Sequence, residues 1–166
     1  MTADLMINIK FIKNNNIDVI IADEVLDIWR KYQQIDIKDN EACGILIGGY
    51  NEKQNKIFID LCTEPQKSDL RKRTFFTLKD PFHQKRVNDV FISSQHTQFY
   101  LGTWHSHPEN YPSPSNVDLQ DWEKCIKRNS HNKFMVFAII GLKETFIKVY
   151  EVGEKYYDNT NKTIST

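Results

Sequence analysis

Only three of the 166 residues are cysteine, at positions 43, 62 and 125. An odd count without short-range pairing excludes a disulfide framework, and each thiol lies in an apolar stretch where a buried free cysteine is expected. Net charge is lacking too. The 22 Lys and Arg balance the 22 Asp and Glu, so the chain as a whole gives no electrostatic case for a nucleic-acid or anionic-membrane partner. Lys67–Arg73 is the one place where a local basic patch could form. No segment approaches the ~20 apolar residues that span a bilayer. The opening MTADLMINIKFIKNNN has no long apolar core and no small-residue cleavage site, so a cytoplasmic protein is expected. Internal repeats, low-complexity tracts and dividing linkers are also missing. What remains is 40% hydrophobic and 27% charged, a composition for one soluble globular domain over residues 1–166 with a sizeable core.

Apolar periodicity predicts the elements. Ile7–Ile12 and Asp18–Ile21 flank an asparagine run and read as a hairpin. Ala22–Gln34 sets Ala22, Val25, Leu26, Trp29 and Tyr32 at helical spacing. Cys43–Ile47 is a compact apolar run closed by Gly48-Gly49, as in a buried central strand. A turn over Asn51–Asn55 leads to its partner, Lys56–Cys62. Thr63–Asp80 is irregular, and a loop of that length in a compact domain is usually functional or mobile. Pro81–Ser93 resumes helical spacing through Phe82, Val87, Val90 and Phe91, with proline at the start. Tyr100–His105 alternates as a strand, Glu109–Pro114 is a loop, and a helix from Ser115 turns Leu119, Trp122, Cys125 and Ile126 inward. Phe134–Ile140 is a buried strand, Thr145–Val152 pairs back beside it, and the tail from Gly153 is expected to fray. The class is α/β, a mixed central β-sheet with helices packed on it.

Chemistry concentrates in GTWHSHPENYPSPSNVDLQDW, Gly102–Trp122. On an extended strand His105 and His107 point to the same face, and Pro108 then turns the chain. Asp118 lies eleven residues past His107, in the first turn of a helix, where it can approach the imidazoles from the opposite side. Two nitrogens and one carboxylate oxygen at about 2.0–2.2 Å, with a position left for water, is the usual way catalytic zinc is held. Ser115-x-x-Asp118 also reads as a capping box, and spacing alone does not choose Asp118 over Asp121. Glu41 stands at the entrance of the Cys43 strand, where its carboxylate can face a cleft.

His105-Ser106-His107-Pro108, six residues, Ser115, two residues, Asp118 resembles position by position the signature of the JAMM (JAB/MPN domain) metalloproteases. Glu41 in EACGILIGGY resembles the acidic residue that precedes it. The likeness runs over about 41–152. It implies a single JAB/MPN domain with a cytidine-deaminase-like sheet, binding one Zn2+ per chain through His105, His107 and Asp118. It implies Glu41 as general base and Ser115 as hydrogen-bond donor to the oxyanion. The implied reaction is hydrolysis of an amide or isopeptide bond beyond an extended glycine-rich tail, which would lie as an added strand along a sheet edge. Phe75, Phe76 and Trp104 are candidate substrate contacts, and Trp104 and Trp122 would dry the site.

The wording around DPFHQ, YLGTWHSHPE and PSPSNVDLQDW resembles bacterial JAB isopeptidases of cyclic-oligonucleotide antiphage signalling (CBASS). That implies a conjugate of a CD-NTase-type nucleotidyltransferase or a ubiquitin-like protein as substrate, and a ubiquitin-conjugating-like enzyme as a partner. Processing of a sulfur-carrier protein or small peptide adduct is the alternative within the hydrolases. A non-catalytic MPN scaffold is the alternative outside them, and the retained ligands argue against it. Zinc deaminases need H-x-E with P-C-x-x-C and thermolysin-like peptidases need H-E-x-x-H; the chain has neither. His83, His96 and His131 have no matched spacing and are expected to be structural or exposed. Glu109, Asp121 and Glu123 stay outside the site for the same reason.

Overall fold

A continuous apolar run such as Phe134–Ile140 can only be buried by covering both faces of its sheet, and among the described residues three α-helices do so. The computed structural model describes residues 17–152. In chain order the elements are β1 (Asp18–Ile21), α1 (Asp23–Lys31), β2 (Cys43–Asn51), β3 (Lys56–Cys62), β4 (Leu70–Lys72), β5 (Phe75–Thr77), α2 (Pro81–Ser93), β6 (Phe99–Ser106), α3 (Asn116–Arg128), β7 (Phe134–Ile140) and β8 (Thr145–Glu151). Six strands form one mixed sheet in the order β1-β3-β2-β6-β7-β8, and β4 and β5 form a separate two-stranded ribbon. β6 and β7 run parallel, joined by a crossover through α3, while β2–β3, β2–β6 and β7–β8 are antiparallel.

On one face, Val25, Leu26 and Trp29 of α1 pack over Val19, Leu46, Leu101, Trp104, Val136 and Ala138. On the other, Trp122 and Ile126 of α3 cover Met135, Phe137 and Ile139, with the Trp122 ring stacked on Phe137 at 4.9 Å. Val90 of α2 covers Ile45 and Ile47. Every residue of β7 is buried.

A break in strand alternation decides which side chains reach the α3 face. Tyr100 pairs with Ile47 and Gly102 with Leu46, so Leu101 is an extra residue bulged toward α1. The bulge restores His105 to the face that Tyr100 occupies, although they are an odd five positions apart. Gly102 allows it: its φ is +151°, and a Cβ there would meet the Val136 carbonyl oxygen at 1.8 Å.

Several expectations are corrected. Asp18–Ile21 pairs in parallel with Lys56–Ile59; Ile7–Ile12, expected as its hairpin partner, and the tail from Gly153 lie outside the described residues. The first helix ends at Lys31, short of Gln34. β2 runs on through Gly48-Gly49 to Asn51, flanked by β3 and β6. At Gly48 a Cβ would meet the Phe58 carbonyl oxygen at 1.8 Å, so glycine there permits close pairing rather than ending the strand. The Thr63–Asp80 loop carries the β4–β5 ribbon. In α2, His83 and Val90 turn inward, whereas Phe82 and Phe91 are 43% and 38% exposed. His83 is drawn in by hydrogen bonds to Thr63 (2.6 Å) and Asp69 (2.7 Å), and that fixes the rotation of the helix. Leu119 and Cys125 are only partly buried. All three cysteines are free, with Cys43 buried and Cys62 and Cys125 half-buried. Among the described residues no helix is long and apolar enough to cross a membrane.

Trp104 lies on the α1 face, fully buried, its indole N–H donating to the Thr63 carbonyl at 3.0 Å and its ring against Trp29 and Tyr32. The expectation that it contacts substrate is therefore corrected: alternation along β6 places it on the opposite face from His105. Two outcomes follow. Gly102→Ala is expected to cost about 2–4 kcal/mol through backbone strain and overlap, read by denaturant unfolding. Trp104→Phe is expected to lose about 1–3 kcal/mol by leaving the Thr63 carbonyl unpaired, with the KM of any activity unchanged.

Candidate metal centre

The floor of the site is the C-terminal end of β6, clamped between β2 and β7. His105 stands opposite Cys43 on one side and Ile139 on the other. Beyond the strand the His107 backbone N–H donates to the Ile140 carbonyl at 2.9 Å, which extends the ladder and returns the second imidazole to the face of the first. The two Nε2 atoms lie 3.0 Å apart. Phe76 packs on the His105 ring, centroids 4.9 Å apart.

The third group comes from α3. Ser115 is the N-cap: its Oγ accepts from the Asp118 backbone N–H at 3.1 Å, and Asp118 Oδ2 accepts from Ser115 N–H at 2.7 Å and Ser115 Oγ at 2.8 Å. This is the capping box, and the same carboxylate turns to the histidines. Oδ1 is 3.2 Å from His105 Nε2 and Oδ2 is 3.5 Å from His107 Nε2. Among the described residues His105, His107 and Asp118 form a group whose donor atoms lie within 4.8 Å of one another, and Asp121 is not part of it. A tetrahedral centre with bonds of about 2.0–2.1 Å separates its ligand atoms by about 3.3–3.4 Å. The Nε2–Nε2 separation of 3.0 Å and the 3.2 Å from His105 Nε2 to Oδ1 lie close to that value, while the second oxygen, Oδ2, is 3.5 Å from His107 Nε2. Two imidazoles and a carboxylate are donors that suit zinc, so the residues present fit the ion.

The two histidines differ electrostatically. Burial lowers the His105 pKa in spite of Asp118, which keeps the ring neutral as a ligand must be. At His107 burial acts the same way, but the Asp118 bond and the charges of Glu41, Asp118 and Glu109 outweigh it and raise the pKa. Burial also works against ionised Asp118, yet both imidazoles and the Ser115 N–H hold it well below the usual carboxylate range. Glu41 is 5% exposed, its carboxyl 3.8 Å from His107 Nε2. Burial pushes its pKa up to about 7, with His107 opposing and Asp118 and Glu109 reinforcing the rise. A carboxyl titrating near neutrality can take up and return a proton. The Nδ1 atoms of both histidines are buried without a hydrogen-bond partner among the described residues; the nearest carboxylate to that of His107 is Glu109, at 3.8 Å.

The centre opens into a cleft of about 340 Å³, with Glu41, His107, Ser115 and Asp118 at its base and Phe75 and Phe76 on one wall. Thus Glu41, His105, His107, Ser115 and Asp118 are brought together, Phe75 and Phe76 border them, and Trp104 is excluded. Trp122 packs in the core under α3 rather than in the cleft. Glu109, Asp121, Thr74 and Val117 also line the cleft. The expectation that Glu109 and Asp121 stay outside the site is thereby corrected: Glu109 directly follows His107-Pro108, and Asp121 is one helical turn from Asp118, which carries both to the cleft. Thr74 and Val117 carried no signal in the sequence. His83 is structural and buried, whereas His96 and His131 are exposed.

Residues 24–152 match the family model described as prokaryotic homologs of the JAB domain. The chain is 34% identical over 137 residues to a protein of Escherichia coli (strain TW11681) named CD-NTase/cGAS isopeptidase, covering 82% of this chain and 85% of that protein. It is 33% identical over 129 residues to one of the same name from Vibrio cholerae, covering 78% and 80%. A solution structure of a Desulfitobacterium hafniense protein superposes with a TM-score of 0.52 at 20% identity, covering 82% of this chain and 86% of that one, a likeness of fold alone. With most of its length matched in this way, and at this identity, the chain belongs to the prokaryotic JAB-domain family.

Proposed function

We propose that this chain is a zinc-dependent isopeptidase that releases a CD-NTase-type nucleotidyltransferase from a conjugate formed at its C-terminal tail, in the cytoplasm of a bacterium using CBASS defence. One observation carries the hydrolytic reading: three candidate metal-ligand donors converge within 4.8 Å, two of them lining an open cleft, with the Glu41 carboxyl 3.8 Å from one of these. The choice of conjugate is supported by the relatives named CD-NTase/cGAS isopeptidase. A partner enzyme that makes the conjugate, of ubiquitin-conjugating type, belongs to the same reading.

His105, His107 and Asp118 would hold the zinc. When bound it supplies a Lewis acid that polarises the scissile carbonyl and acidifies water. Glu41 takes a proton from the attacking water and returns it to the leaving amine, the role for which a pKa of about 7 suits it. The Ser115 hydroxyl, which donates to Asp118 at 2.8 Å, turns its hydrogen toward the oxyanion as charge develops there. Phe75, 43% exposed on the cleft wall, and Phe76 border the extended tail and exclude water beside the scissile bond.

Protein purified without added metal is expected to hold about one zinc per chain, measured by mass spectrometry of the metal. His105→Ala and His107→Ala should lose most of it, and unchanged content would remove them as ligands. The functional test is cleavage of a CD-NTase tail fused to a reporter. Wild type should cut at the junction in a chelator-sensitive way, whereas Glu41→Gln should keep its zinc and lose activity by at least about a hundredfold. Full activity in Glu41→Gln would assign the base elsewhere. A zinc-loaded wild type that never cuts would point to sulfur-carrier adducts or to a scaffold. Phe75→Ala is expected to raise KM severalfold with zinc content unchanged.

A further inference from the structure

Glu41 has no helix or ladder of its own to hold it: it precedes β2, at the end of a connector that follows α1. What holds this segment is a buried side-chain amide. Gln34 is 2% exposed. Its Nε2 donates to the Asp39 carbonyl at 3.1 Å and to the Arg73 carbonyl at 2.9 Å. Its Oε1 accepts from Ser106 Oγ at 3.0 Å, and Ser106 Oγ accepts in turn from the Ala42 backbone N–H at 2.8 Å. Asp39 and Ala42 bracket Glu41, Arg73 lies in the turn of the β4–β5 ribbon, and Ser106 separates the two histidines on the opposite face of β6. Beside these bonds, Glu41 N–H donates to the Lys72 carbonyl at 2.8 Å and its own carbonyl accepts from Arg71 Nε at 2.7 Å.

We infer that Gln34 is a positioning residue for Glu41, joining the connector, the ribbon turn and the strand between the histidines into one rigid unit. This rests on the reading of Glu41 as the proton acceptor. Gln34 does not line the cleft and touches no reacting atom. Both of its N–H donors and its carbonyl are used within the protein, so the network is satisfied in one arrangement only. An apolar isostere would take the donor from two carbonyls and the acceptor from the Ser106 hydroxyl, and free the segment that carries the base. Displacement of a catalytic group by about 1 Å can cost about a hundredfold in rate, while a ligand set held by β6 and α3 is unaffected.

The test compares Gln34→Met and Ser106→Ala with Asn132→Leu. Asn132 is also a buried amide, bonded to the Tyr100 carbonyl at 2.8 Å at the opposite end of β6. In Gln34→Met and Ser106→Ala, kcat on the fusion substrate should fall at least about tenfold, with KM within about twofold and zinc content at the wild-type level. Ser106→Thr, which restores the hydroxyl, should recover most of the loss. Combined with Glu41→Gln, Gln34→Met should cost nothing further. Asn132→Leu should lower the unfolding midpoint and leave kcat unchanged. The idea fails if kcat per bound zinc stays within about twofold of wild type in both variants, or if Asn132→Leu lowers kcat equally. Hydrogen exchange separates this outcome from failure of the isopeptidase reading, because it needs no substrate. Faster exchange confined to residues 39–42 and 70–77, with β7 protected, supports the anchoring; uniform acceleration or none overturns it.

Discussion

One carboxylate, that of Asp118, does two jobs, and the site depends on their compatibility. As the N3 residue of α3 it accepts from the Ser115 backbone and hydroxyl through Oδ2, closing the capping box, while Oδ1 faces His105. A cap of this kind contributes about 0.5–2 kcal/mol. Taking an ionised carboxylate out of water costs several kcal/mol, more than the cap returns. Both imidazoles and the Ser115 N–H offset part of that cost and hold the carboxyl well below its usual range. A divalent cation held between the two imidazoles and this carboxylate would offset the rest. Cap and ligand are one feature seen from two sides: the hydrogen bonds that start the helix also fix the direction of the carboxylate.

The layers supply the rigidity that such a site needs. α3 is fixed on β7 by Trp122 and Ile126, and β7 is hydrogen-bonded in parallel to the strand that bears the histidines. Ligands that are far apart in the chain are therefore mounted on adjoining pieces of one packed unit. On the open side the β4–β5 ribbon brings Phe76 onto His105 and its backbone onto Glu41. The base of that excursion is tied down by Asp69, which accepts from the backbone of Gln66, Lys79 and Asp80 and bonds His83. The Glu41 carboxyl is desolvated by this cover, which is why its pKa rises toward 7.

Much of the strand pattern was legible because it follows from local periodicity. Lys56–Cys62 and Phe134–Ile140 have the same limits in the sequence reading and in the structure. Pro81 and Ser115 mark helix starts for reasons of backbone chemistry that neighbours do not alter. The misreadings share a cause: each concerned a partner distant in the chain. The rotation of α2 is set by His83 bonding to Thr63 and Asp69, not by where its phenylalanines fall. Trp104 was assigned to the wrong face of its strand because the side facing the ligands depends on packing. Glu109 and Asp121 were visible as acidic residues at suggestive intervals, yet only the shape of the cleft brings them to its wall.

Family and candidate groups were legible in the sequence by itself, without any tertiary contact. An H-x-H on an extended segment, a capping Ser-x-x-Asp and a glutamate before a buried strand are short-range patterns, and strand and helix geometry carry them into space unchanged. The sequence could not choose Asp118 over Asp121, locate the wall of the cleft or reveal Gln34. Those depend on where α3 lands on β7, how the ribbon folds back over the ligands, and which backbone carbonyls one buried amide meets. Such contacts join segments tens of residues apart, and only burying both faces of the sheet brings them together.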